Sequence, residues 1–191
     1  MSSQFSVMNL SENQISAVPD WIHEFSKLEE LNLMGNPISS LPSGVWGMEN
    51  LKNLYVGFTK MTSLPEAISG LVSLTLFNAE GLGLTELPDA FWSLSNLSGV
   101  NLQNNSLGSN LPNEGLRMLV NLENINLRKC EIVNFPEAFC DLPNLVRIDL
   151  RLNHISSVPN CARQKKLDWI GLQGNPHRYT PADFNADAIG L

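Results

Sequence analysis

Residues 145 to 159, LVRIDLRLNHISSVP, place apolar side chains at Leu145, Ile148, Leu150, Ile155 and Val158 and set Arg147, Asp149 and Arg151 between them. Residues 28 to 42, LEELNLMGNPISSLP, keep the same spacing. Sliding this stretch along the chain finds eight copies, starting at Phe5, Leu28, Leu51, Leu74, Leu97, Leu122, Leu145 and Leu167, which are 23, 23, 23, 23, 25, 23 and 22 residues apart. Within each copy the fourth and sixth positions (Leu31 and Leu33, Ile125 and Leu127, Ile148 and Leu150) alternate with mostly polar ones, the period of a strand with one buried face. Downstream prolines at 19, 42, 65, 88, 112, 136 and 159 precede apolar residues three apart, such as Ile22 and Phe25 or Leu116 and Leu119, which predicts a short turn of α or 3₁₀ helix. One strand and one turn cannot bury their own apolar face, so the copies must stack.

Self-similarity at about 20 to 29 residues on the pattern L-x-x-L-x-L-x-x-N/C-x-L marks leucine-rich repeats. Over about residues 5 to 176 the chain resembles that family, in its 23-residue L-x-x-L-P subtype, and short Ras-suppressor-like and bacterial leucine-rich repeat proteins look similar. The resemblance implies an α/β class: a single right-handed solenoid over 1–191, with a parallel concave sheet and short helical or 3₁₀ turns on the convex side. The ninth position holds Asn13, Asn36, Asn105, Asn153 and Asn175, with Thr59, Leu82 and Cys130 in the other copies, and is similar to the family's asparagine ladder. Leu82, between Gly81 and Gly83, predicts an irregular turn, and the insertion around LGSNLPNEG predicts a convex bulge. At the C-terminal end, 177–191 is expected to form a cap. There Thr180, Pro181 and Asp183 predict a helix over about 181 to 188 that stops at Gly190 and lays Phe184 and Ala188 on the edge left by Ile170 and Leu172. At the other end the first copy lacks a polar cap, and self-association through it is expected.

With 191 residues, 43% of them hydrophobic, the chain can bury a sizeable core. Neither a run of ~20 apolar residues nor a basic-then-apolar leader in MSSQFSVMNL is present, so no membrane anchor and no Sec-type export are expected. The 12 basic and 19 acidic residues give a net charge of −7, which argues against a nucleic-acid or anionic-membrane binder. The charge is polarised: residues 1 to 114 carry 3 basic and 11 acidic residues, and residues 115 to 191 carry 9 and 8. Cys130, Cys140 and Cys161 form no C-x-x-C pair, and His23, His154 and His177 lack zinc-ligand spacing. The expectation is therefore structural thiols, with only Cys140 exposed, in a reducing, cytoplasmic compartment, or in a host cytosol if the protein is a delivered effector; no metal or cofactor is expected.

Nucleophile elbows, zinc-protease motifs and phosphate-binding glycine loops are missing, and Glu30, Glu80 and Asp149 fall in different copies. A non-catalytic protein is expected, one that binds a partner on the concave sheet through positions 3, 5 and 7. Eight strands ~4.8 Å apart make that surface ~34 Å long, room for a protein. Met34, Tyr55 and Phe58 form one candidate cluster; Arg128, Arg147, Asp149, Arg151 and Trp169 form another, with Asn101, Gln103 and Asn126 between them. The same fold would also suit the substrate-targeting domain of a larger enzyme or a secreted bacterial effector. A nucleic-acid or inositol-phosphate sensor built on the arginines is a third reading.

Overall fold

The structure is a computed structural model describing residues 5–176 and, as backbone, 189–190. Positions 3 to 5 of each copy form a strand: β1 (Val7–Asn9), β2 (Glu30–Asn32), β3 (Asn53–Tyr55), β4 (Leu76–Asn78), β5 (Gly99–Asn101), β6 (Asn124–Asn126), β7 (Arg147–Asp149) and β8 (Trp169–Gly171). They pair in parallel and in chain order, like position opposite like position, as at position 4 in Ile125↔Ile148↔Ile170. Every return leg crosses to the convex side through a short helix, 3₁₀ at Asp20–Glu24, Glu66–Gly70 and Asp89–Ser93, and α1 (Ser43–Trp46), α2 (Asn113–Met118), α3 (Ala138–Asp141) and α4 (Asn160–Gln164). Apart from Pro136, which lies two residues before α3, the prolines sit one residue outside the first helical position expected of them, and their carbonyls accept an amide of the first turn, for example Ile22 N–H to Pro19 O at 3.1 Å and Ala162 N–H to Pro159 O at 3.1 Å.

The apolar positions close into one column from Val18 to Leu172, with Leu31, Leu54, Ile148 and Leu150 fully buried. The column survives the inward bend of the chain because position 9 serves two copies at once. Asn153 Nδ2 donates to Leu127 O and Leu150 O, each at 2.9 Å, while its Oδ1 accepts from Cys130 N–H and Ile132 N–H at 2.9 and 3.0 Å. Asn36 and Asn105 make the equivalent bridges. Thr59 reaches only Val56 O, and Leu82 contributes no polar group. A second row lies at the end of the return legs, where Asn50, Asn96, Asn121 and Asn144 each donate to a carbonyl of the preceding copy at 2.8–3.0 Å.

Position 8 is a left-handed corner in all eight copies: Glu12, Gly35, Phe58, Gly81, Asn104, Lys129, Leu152 and Gly174 have φ between 54° and 76°. Glycine takes this conformation freely, whereas other residues pay on the order of 1–2 kcal/mol. Phe58 and Leu152 occupy it with side chains laid over glycines 81 and 174 of the next copy, so that a Cβ at Gly81 would meet the Phe58 ring at 2.8 Å. The irregularity expected at Leu82 appears as a second left-handed residue, Gly83, two positions after the regular corner at Gly81.

Two expectations are corrected at the C-terminal end. Cys140 and Cys161 are not separate thiols: they are joined as a disulfide with Cα atoms 5.7 Å apart, stapling α3 to α4. Cys161 is exposed, because the start of α4 lies outside the column. Gly190 does not stop a helix; with Ile189 it forms β9 (Ile189–Gly190), which pairs in parallel with β8 and extends the sheet instead of leaving β8 as the edge. The helix expected over 181 to 188 lies outside the described residues. Cys130 is the free, buried thiol among them; burial, the main cause, pushes its pKa up to about 11.

Three outcomes follow from this construction. Asn153→Ala should orphan two buried amides and two carbonyls at about 1–3 kcal/mol each before relaxation, and so lower the urea midpoint far more than Thr59→Val. Gly81→Ala, strained in both backbone and contact, should lose about 1–2 kcal/mol, while Gly47→Ala, at φ −94° with no atom nearer than 3.9 Å to the new Cβ, should be near neutral. Thiol titration of unfolded, unreduced protein should count one thiol, rising to three after reduction, and folded protein at pH 8 should show almost none.

Candidate functional site

Position 5 is asparagine or aspartate in six of the eight strand copies and at no other strand position so regularly, and the structure gives the reason. The side-chain oxygen accepts the backbone N–H two residues on, closing an Asx turn at the end of the strand: Asn9 to Ser11, Asn32 to Met34, Asn78 to Glu80, Asn101 to Gln103, Asn126 to Arg128 and Asp149 to Arg151, all at 3.0–3.1 Å.

 

Tyr55 on β3 and Gly171 on β8 carry no such oxygen, so six copies in all close this turn. Asn101 and Asn126, expected to face a partner, thus spend their oxygens on the chain's own backbone. Their amides are spent as well. Asn101 Nδ2 donates to Glu80 Oε2 at 3.1 Å, Asn126 Nδ2 to Gln103 Oε1 at 3.1 Å, and Gln103 Nε2 to Glu80 Oε1 at 2.7 Å. These bonds make a rigid polar floor across β4, β5 and β6.

Asp149 is the second correction on this face. Expected to face a partner on the concave sheet, it is only 7% exposed, because Arg151 folds back on it: Nε reaches both carboxylate oxygens at 2.9 and 3.1 Å and Nη2 reaches Oδ2 at 2.6 Å. The carboxylate in turn raises the pKa of the Arg151 guanidinium, chiefly through that hydrogen bond. Arg151 and Arg147 then flank the Trp169 ring, with guanidinium carbons 5.3 and 6.0 Å from its centroid. The indole lies over Gly171, where a Cβ would meet it at 2.4 Å, so a side chain at 171 would displace the ring.

A groove of about 500 Å³ runs along the sheet from Tyr55 on β3 to Trp169 on β8. Of the residues expected from sequence, it brings together Tyr55, Asn101, Asn126, Arg147, Asp149, Arg151 and Trp169. Met34, Gln103 and Arg128, at position 7, stand outside its lining, and Phe58 sits on the left-handed corner beyond the strand, 49% exposed. Leu76 and Gly99, side by side on β4 and β5, belong to the groove and were not among the expected site residues. Gly99 has no side chain to fill its position, and Leu76 leans over the gap, where a Cβ at 99 would lie 2.5 Å from its Cδ2. A leucine beside a glycine at position 3 was the available signal. Near the same end, burial and then the charge of Glu30 raise the pKa of Tyr55.

Among the described residues no three histidine, cysteine, aspartate or glutamate side chains come together as metal ligands, and no helix is long and apolar enough to cross a membrane.

A family model described as Leucine Rich Repeat matches residues 27–48. No curated protein matches in sequence. Among solved structures, a leucine-rich repeat protein of Leptospira interrogans superposes with a TM-score of 0.79 at 28% identity, over 93% of this chain and 51% of its own. Internalin C2 of Listeria monocytogenes superposes with a TM-score of 0.73 at 24% identity, over 87% of this chain and 70% of its own. The ectodomain of the Arabidopsis thaliana receptor kinase GASSHO1/SCHENGEN3, solved in complex with Casparian strip integrity factor 2, gives 0.68 at 24%, over 91% and 23%. The chain thus spans about half the length of the Leptospira protein. One matched repeat, eight stacked copies in register and the superposition on the Leptospira protein show that the chain has the leucine-rich repeat fold.

Proposed function

We propose that this chain is a non-catalytic scaffold that binds a partner protein along its concave sheet. The observation that carries the reading is the groove from Tyr55 to Trp169, whose floor is fixed by hydrogen bonds before any partner arrives. Pre-fixed side chains lose little freedom on binding, which is where much of the cost of association otherwise lies. The groove also offers Tyr, Trp and Arg, the residue types that dominate binding hot spots. The receptor ectodomain was crystallised in complex with Casparian strip integrity factor 2, so a solenoid of this fold can hold a partner; the site on this chain is our assignment. The Cys140–Cys161 disulfide favours an oxidising compartment over the cytoplasm expected from the sequence.

Affinity capture from the native cells tests the reading. Gly99→Val, which fills the groove beside a movable leucine tip, and Arg147→Ala should each lower retention of the partner by about tenfold or more, the size of a 1.4 kcal/mol loss. Met118→Ser, on an exposed convex side chain, should retain it. A partner insensitive to both concave changes and lost with the convex one would overturn the proposal.

A further inference from the structure

The concave sheet is divided electrostatically. At its C-terminal end Arg128, Arg147 and Arg151 stand on β6, β7 and their exits, and Asp149 is the carboxylate set among them. Asp149 is fully engaged by Arg151 and by the Arg151 backbone amide. The ion pairs among the described residues are Lys52–Glu29, Arg117–Glu114, Arg117–Asp141 and Arg151–Asp149, so Arg128 and Arg147 have no carboxylate partner there. Three guanidiniums against one carboxylate leave two net positive charges, and guanidinium stays charged at any pH the fold tolerates. Arg147 is exposed and held at 6.0 Å against Trp169, a fork already aimed.

The other half of the sheet has the opposite character. Glu80 accepts hydrogen bonds from Asn101, Gln103 and Asn104 and has no cation on it, and Glu30 accepts one from Asn53. A second anion would be repelled there, whereas Leu76, 38% exposed beside the bare Gly99, offers apolar contact. A polyanion laid along the sheet would have to cross Glu80; a segment with a carboxylate at one end and an apolar residue at the other would not. From β4 to β7 is three strand spacings of ~4.8 Å, ~14 Å in all, and an extended chain covers that in about four residues at ~3.3 Å each.

Resting on the concave-face reading above, we infer that the partner presents an extended segment with an aspartate or glutamate seated on Arg147, where Arg128 beyond the groove's edge adds to the positive field, and an apolar side chain about four residues away seated on Leu76 beside Gly99. The carboxylate forms charge-assisted hydrogen bonds with the Arg147 guanidinium, which has no carboxylate partner among the described residues.

The test is selection of a random linear peptide library on the folded full chain at near-physiological salt, followed by affinity measurement on synthetic copies of the selected peptides. Selected sequences should share an acidic residue about four positions from Leu, Ile, Met or Phe. Their affinity should fall about tenfold or more with Arg147→Gln plus Arg128→Gln, with Leu76→Ala, and with Asp→Asn or Glu→Gln in the peptide. Both arginine changes remove the charge, keep a polar side chain and spare the Asp149–Arg151 pair, and an unchanged melting temperature verifies the fold. Peptides that bind the groove, being lost with Gly99→Val, yet show no acidic residue or ignore the arginine changes would overturn this inference and leave the concave-face reading standing. Peptides indifferent to Gly99→Val and to every arginine change would overturn both. An oligonucleotide or inositol phosphate that outcompetes the selected peptides through Arg147 and Arg128 would overturn the inference in favour of a phosphate ligand.

Discussion

A chain that coils every 23 residues must turn its backbone inward once per coil, and the amides and carbonyls brought inside need partners. The amide side chain at position 9 supplies them to two copies together, with Asn153 closing bonds from copies six and seven in one group. Everything else follows from that coupling. It holds neighbouring strands in zero register, so that like positions face like positions along the whole sheet and the concave face repeats as regularly as the column does. Where the coupling is thin, at Thr59 and Leu82, the column itself is continuous, because Met61, Leu64, Leu84 and Leu87 still bury against their neighbours.

The regular spacing of leucine made the column, the strand positions and the helical turns legible before any coordinates, since burial of one face imposes a period the sequence cannot hide. Other features have no such period. Cys140 lies five residues before the start of one copy and Cys161 six before the next, so the two are out of step in the repeat and their proximity depends on how α3 and α4 are placed. Asp149 looked available to a partner because its position faces the concave side, but Arg151, two residues on, covers it. Asn101 and Asn126 looked available for binding because an exposed asparagine and one closing an Asx turn read alike in a sequence.

That economy shapes the groove. On a sheet whose polar residues are largely occupied with one another, the groups left over for another molecule are few: two unpaired arginines, an indole, a tyrosine and a leucine next to a gap. The axial imbalance of charge, visible in the composition of the two parts of the chain, is reproduced on the face itself, with Glu30 and Glu80 toward one end and the arginines toward the other.

The staple between α3 and α4 gives the molecule a direction. A stacked coil, in which each copy touches only its neighbours, opens from whichever end is less secured. Copies six and seven are joined by a covalent bond and copy eight is followed by β9, whereas β1, among the described residues, pairs on one side alone and carries Phe5 and Val7 in the open. Thermal fraying, proteolysis and mechanical unzipping should therefore reach the stapled copies last, and the strand bearing Arg147 would be among the last to come apart.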